Sequence, residues 1–289
     1  MVETTKNQTL PHKDLELSPV LSELDGQNRR TFIKLFAGAL LFGSLPTVRA
    51  CESAKTAPAG SLIIGGGGEL SQEIRDHFVK LAGGDKARIV IIPTASANAD
   101  FPDQSVDMYW GEEDKVASAL LLHTRSRIEA NLPSFVQPLN EATGVWFSGG
   151  DQSRIADAYV GTLAEERCNT VLRRGGVVGG TSAGGAVMSP IMIAGGNPIP
   201  TLGKGFRFLE QFVRRTCIID QHFDTRNRIQ RLLHALKLHP ESVGLGVGWG
   251  AALLVNGSDI TVMGKNVWLC NADGKSKEYS PGEKVDVDL

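Results

Sequence analysis

GGVVGGTSAGGAVM, Gly175 to Met188, sets two valines between pairs of glycines, then a serine among small residues, then a short apolar run. The pattern reads as a strand, a tight turn and the start of a helix. Within it, Gly180-Thr181-Ser182-Ala183-Gly184 fits the G-x-S-x-G nucleophile elbow, where serine occupies a strained turn that only small neighbours permit. The helix start would aim backbone N–H groups at an oxyanion developing beside the serine. Small-residue turns after strands are common, so the plain alternative is a tight turn with no chemistry.

The same plan recurs along the chain. SLIIGGGGEL (61–70) is a strand entering a glycine turn, and QEIRDHFVKLAG (72–83) places Ile74, Phe78 and Leu81 on one helical face before the Gly83-Gly84 stop. ARIVIIPTAS (87–96) is a continuous apolar strand, as expected where both faces of a sheet are covered. VASALLL (116–122) fits helix or strand, whereas ATGVWFSGGDQSRIADAYV (142–160) again runs strand, glycine turn, helix. This rhythm predicts an α/β fold: one doubly wound, mostly parallel sheet with functional groups at the carboxyl ends of its strands. Near the end, Asn-Gly and Ala-Asp-Gly turns between short strands predict a closing antiparallel meander.

The bulk composition suits a globular domain. The chain has 289 residues, 42% hydrophobic and 21% charged, enough for one sizeable core. Thirty basic against thirty-two acidic side chains give a net charge of −2, which argues against a nucleic-acid or acidic-membrane partner and for a small molecule or peptide. Cys51, Cys168, Cys217 and Cys270 form no CxxC pair and no Cys/His cluster, so neither a structural zinc nor any other metal or cofactor is expected. All but Cys51 read as small core residues.

Residues 1–50 read as a leader. Arg29 and Arg30 precede Phe32, Lys34 and an apolar run from Leu35 to Leu45, which resembles a twin-arginine export signal with VRA as its cleavage site. That run is too short to span a bilayer comfortably, and Pro46 weighs against a buried helix. Cys51 also stands where a lipoprotein acceptor would, although Arg49 is a poor residue for that signal. Residues 51–60 read as a linker and 61–289 as one domain, exported to the periplasm or beyond.

Forty residues after the elbow comes IIDQHFDTRNRIQRLL (218–233), an apolar strand ending in Asp220-Gln221-His222-Phe223. The helix after it carries Ile229, Leu232, Leu233 and Leu236 as its apolar stripe. His222 would lie at a strand end, on the same rim as Ser182, supplying the second part nucleophilic catalysis requires. His123, His234 and His239 have no comparable setting. Arg226, Arg228 and Arg231 would ordinarily be a solvated face, but beside such a site their forked donors suit carboxylates.

These pieces together resemble the cyanophycinases, serine peptidases related to aspartyl dipeptidase and to the class I glutamine amidotransferase-like fold. The matching segments are VIIPTAS (90–96), FSGGDQSRI (147–155), GGTSAGGAVM (179–188), MIAGG (192–196), DQHFDTRNRIQRLL (220–233) and HPESVGLGV (239–247). The resemblance implies hydrolysis of the β-aspartyl-arginine units of cyanophycin, a polyaspartate backbone with arginine on each side-chain carboxyl. It implies Ser182 as nucleophile, His222 as base, and the N–H groups of Gly150 and Ala183 as oxyanion hole. Gln152, Asp220, Gln221, Arg226, Arg228 and Arg231 match the substrate pocket, with Asp220 suited to a substrate guanidinium. Helical projection sets Arg231 opposite the apolar stripe, so its role rests on the resemblance. A homodimer is left open as the assembly.

One departure bears on catalysis. Where such proteins usually read Gly-Ile-Gly-Ile-Asp-Glu, this chain reads GLGVGW, so Gly248 and Trp249 stand where two acids are expected, the second being the proposed triad acid. An alternative glutamate after MIAGG is missing too, since NPIP carries no acid. His222 must then be oriented by a backbone carbonyl, by a nearby acid such as Asp224, or not at all. The alternative function is therefore a catalytically weak relative that binds β-aspartyl-arginine peptides. A glutamine amidotransferase would want cysteine at the elbow, and Ser182 counts against it.

Overall fold

The computed structural model describes residues 59–101 and 116–288. The leader expected over residues 1–50, most of the linker, and Cys51 lie outside the described residues.

Among the described residues, five parallel strands run from the interior of the larger sheet to one edge: β1 (Ser61–Gly65), β2 (Arg88–Ile92), β3 (Ser118–Leu121), β4 (Gly144–Phe147) and β5 (Val177–Thr181). VASALLL thus resolves as strand. The alternation of side chains sends Leu62, Ile64, Val90, Val145 and Val178 to one face and Ile63, Ile89, Ile91, Trp146 and Val177 to the other. Both faces are covered over β1, β4 and β5, every residue of which is buried, whereas the edge strand β3 is largely exposed. Helix α1 (Gln72–Leu81) covers the second face through Ile74 and Phe78; Ser71 caps its start and Gly83, at φ 111°, follows its end. The opposite face is covered with help from α2 (Gln137–Glu141), α3 (Gln152–Tyr159) and α4 (Leu163–Arg173).

Beyond β5 come the short helix α5 (Ala183–Ala186) and the ribbon β6 (Ile191–Gly195) and β7 (Thr201–Lys204). The strand that carries Asp220, β8 (Cys217–Gln221), joins a second sheet rather than the first. It pairs parallel with β9 (Val243–Val247), and helix α6 (Ile229–Leu238) packs on it through Leu232, Ala235 and Leu236. The closing segment divides into two hairpins. β10 (Ala252–Asn256) and β11 (Asp259–Met263) extend the large sheet, β10 antiparallel to β1, in the order β11-β10-β1-β5-β4-β2-β3. β12 (Val267–Cys270) and β13 (Ser276–Tyr279) complete the second sheet as β13-β12-β9-β8. Val243, Leu245, Val247 and Val267 of the second sheet share one core with Leu62, Ile64 and Val178 of the first.

Candidate active site

Ser182 leaves β5 at φ 53°, ψ −110°, a conformation rare for a residue with a side chain. The elbow glycines explain how the turn closes. A Cβ on Gly180 would meet the Gly184 backbone at 2.6 Å, and one on Gly184 would run into the Phe147 carbonyl. The Ser182 N–H donates to the Gly65 carbonyl at 2.9 Å, which pins the elbow to the end of β1.

His222 follows β8, also at positive φ (50°), and its N–H donates to the Gly66 carbonyl at 2.7 Å. The end of β1 and the glycine turn after it therefore hold both residues, one from each sheet. Ser182 Oγ lies 2.8 Å from His222 Nε2, hydrogen-bond distance for a nucleophile and its base. A Cβ on Gly67 would fall inside the imidazole, and one on Gly68 inside the Trp249 indole, so only bare backbone fits there.

The other imidazole nitrogen is unusual. His222 Nδ1 is buried and has no hydrogen-bond partner. Trp249 packs beside the ring instead, with centroids 5.2 Å apart and planes at 47°. The expectation that Asp224 orients His222 is not met, because Asp224 Oδ1 accepts the N–H groups of Trp249 (2.9 Å) and Thr225 (2.7 Å). Burial, reinforced by the charges of Arg226 and Arg228, pulls the His222 pKa down to about 4; Asp224 opposes the shift.

Ser182 opens into a cleft of about 660 Å³ lined by Gly150, Gln152, Gln221, Arg226, Arg228 and Arg231, among others. Gly150, at φ 138°, presses against the Ala95 carbonyl, leaving no room for a side chain, and Gly149 runs beside Ser182. Ala183 is the first residue of α5, so its N–H has no acceptor within the helix. Gln221 lines the cleft, its Oε1 buried and unpartnered. Gln152 donates to the carbonyls of Ile193 (2.6 Å) and Ala194 (3.2 Å), which fixes β6 as a wall of the cleft.

The arginines are not equivalent. Arg231 is buried and forks onto Asp220, with Nε 2.9 Å from Oδ2 and Nη2 on Oδ1, while Nη1 reaches the Gly196 carbonyl. This corrects the helical projection: a guanidinium paired with a buried acid belongs inside. Asp220 is wholly buried and does not line the cleft, so it anchors arginines rather than meeting a substrate guanidinium. Burial raises its carboxyl pKa, and Arg231 and Arg228 act against that rise. Arg228 donates to the Gln221 carbonyl at 2.5 Å and stands 3.5 Å from Asp220; burial lowers its pKa to about 10. Arg226 is exposed and makes no ion pair among the described residues.

His123 has a setting that spacing alone does not show. Its Nδ1 is 2.8 Å from Thr94 Oγ1, its Nε2 3.0 Å from Asp100, and Thr94 lies 2.9 Å from the Tyr159 hydroxyl. Arg125 joins through Asp100 and the Thr94 and Ser96 carbonyls. Thr94 is fully buried, so this chain holds the loop after β2 rather than exposing a second nucleophile. That loop's Ala95 carbonyl accepts the Asp151 N–H at 2.9 Å and Arg154 at 3.1 Å, beside Gly150. Among the described residues there is no group of side chains suited to a metal ion, and no helix long and apolar enough to cross a membrane. Cys168, Cys217 and Cys270 are buried free thiols.

An elbow serine bonded to a histidine on an α/β scaffold defines a serine hydrolase, and the comparisons with known proteins narrow the class. Residues 61–263 match the model of peptidase family S51, and the chain belongs to that family as a serine-type peptidase. It is 33% identical over 236 residues to the cyanophycinase of Geminocystis herdmanii, covering 78% of this chain and 84% of that protein. The cyanophycinase of a Nostoc species is 33% identical over 215 residues, 69% of this chain and 67% of that one. In fold, it is similar to the crystal structure of a peptidase from an acI-B1 actinobacterium: TM-score 0.62, 22% identity, 78% of this chain and 96% of that one.

Proposed function

We propose that the protein is an exported peptidase that hydrolyses cyanophycin or related β-aspartyl peptides into β-Asp-Arg units. The observation that carries the mechanism is the 2.8 Å contact between Ser182 Oγ and His222 Nε2 at the mouth of an arginine-lined cleft. Ser182 Oγ attacks the scissile carbonyl while Nε2 takes its proton; the N–H groups of Gly150 and Ala183 receive the oxyanion. Nε2 then gives the proton to the leaving amine, and water, deprotonated by the same nitrogen, releases the acyl group. Arg226 and Arg228 take substrate carboxylates, with Asp220, itself gripped by Arg231, holding Arg228 in place. The free carboxylate on each cyanophycin unit fits such a cationic cleft.

Mass spectrometry of cyanophycin incubated with the mature protein tests the reading. Products in steps of β-Asp-Arg are expected, and an unchanged polymer would overturn the hydrolytic assignment. The unpartnered Nδ1 of His222 favours a second reading, a slow enzyme that chiefly binds such peptides. Equilibrium binding to Ser182→Ala protein, set against wild-type turnover, separates the two. Export rests on the Arg29–Arg30 pair and the apolar run after it. Replacing both by lysine should hold the precursor inside the cell, and normal export of that variant would show the leader to be misread. A lipid on Cys51 and a homodimer remain part of the proposal, read by mass and by sedimentation of the mature protein.

A further inference from the structure

A second groove, of about 600 Å³, lies beside the cleft that contains Ser182. The two share Ser153, in the first turn of α3, and Ala194, on β6, so each lies against one side of the same low wall. The floor of the groove includes Met192, and its rim carries Arg127, Asp157 and Lys204. All three rim residues are exposed. Arg127 donates only to the backbone carbonyl of Asp157, at 3.3 Å, and neither the Asp157 carboxylate nor the Lys204 ammonium forms an ion pair among the described residues. Two cations and one anion thus face an open groove with their charges unspent on one another.

We propose that this groove is an extended subsite that takes the next units of a β-linked aspartyl-arginine chain whose scissile bond lies at Ser182, which rests on the substrate reading above. Each unit of such a polymer carries a free carboxylate and a guanidinium. Arg127 and Lys204 suit the first and Asp157 the second, with the apolar floor under the methylene stems. The cleft of about 660 Å³ is of a size for one compact ligand, and a longer chain must continue past its rim. The shared wall at Ser153 and Ala194 is where it would cross. Because the rim charges are exposed, their attraction is modest and screened by salt. The groove therefore grades substrates by length rather than deciding whether they bind.

The test uses Ser182→Ala full-length mature protein and equilibrium binding of a two-unit and a five-unit β-Asp-Arg oligomer. The five-unit oligomer should bind more tightly. Arg127→Gln with Lys204→Glu should remove that preference, reducing five-unit affinity about fivefold. Raised salt should do the same to the parent. Persistence of the length preference in the double variant would overturn the subsite, as would equal binding of both oligomers by the parent. If the parent binds neither oligomer, the substrate reading falls and the subsite with it. Lys204→Gln, which keeps the strand's exposed polar surface, guards against misfolding, and its length preference should fall between those of the parent and the double variant.

Discussion

His222 can receive the Ser182 proton only if Nε2 is bare, which places the ring proton on Nδ1. Nδ1 is buried without an acceptor, and an unpaired buried donor costs about 1–3 kcal/mol. The resting ring therefore favours the tautomer in which Nε2 carries the proton and donates to Ser182 Oγ. Turnover should be on the order of 10⁴-fold below that of a relative with a triad acid, with substrate binding kept. Trp249→Glu should raise kcat, provided the cavity left by the indole does not loosen the ring; full family-like turnover in the wild type would refute the tautomer argument. Acid should matter little to the base. With a pKa near 4, His222 stays neutral down to about pH 4, so kcat/KM should lack the usual limb near 6.5 and fall only around pH 4. Stability declines in the same direction but starts at higher pH. The unfolded chain protonates this histidine below about 6.5 while the folded one refuses until about 4, so the contribution weakens as pH drops through that window. A kcat/KM limb at 6 to 7 would show that the ring is more exposed to water than its packing against Trp249 implies. Gly67→Ala should abolish activity by displacing the imidazole, and hydrolysis retained in that variant would deny the glycine its role.

Two elements meet in the Asp220–Arg231 fork, which ties β8 to α6. Removing the acid strands a buried guanidinium, so Asp220→Ala should cost about 3–5 kcal/mol in denaturant unfolding, far more than an exposed pair would. A loss below 1 kcal/mol would mean that water reaches Arg231. The loop after β2 is held in a comparable way by Thr94, His123, Asp100 and Tyr159. His123→Leu should lower kcat with KM little changed, because the loop's Ala95 carbonyl packs on Gly150; a change in KM alone would place the loop in binding. These ties also mark the limits of reading the sequence. The elbow was legible because bulky residues are sterically barred around Ser182, and α1 because Ile74 and Phe78 recur at helical spacing. Arg231 was not, since projection counts any charge as solvent-facing and cannot see an acid on another strand. Nor could apolar runs tell which sheet β8 joins, because packing between distant segments decides that.

The two sheets share a core, so the domain that holds them should melt as one unit. Loss of hydrolytic activity and loss of far-UV circular dichroism should have the same midpoint. Inactivation well below the spectroscopic transition would mean that the second sheet undocks alone. A different consequence follows from the pairing of β1 with β10, Ser61 opposite Asn256. On the ribosome, Ser182 is made long before the strand that braces β1 from its other side. The turn that positions Ser182 and His222 comes from the beginning of the domain, and Gly67 is in turn held by the N–H of Gly250, near its end. A nascent chain that has reached only Ser182 therefore lacks the contacts that brace its turn, and they form only once β10 and Gly250 have been made.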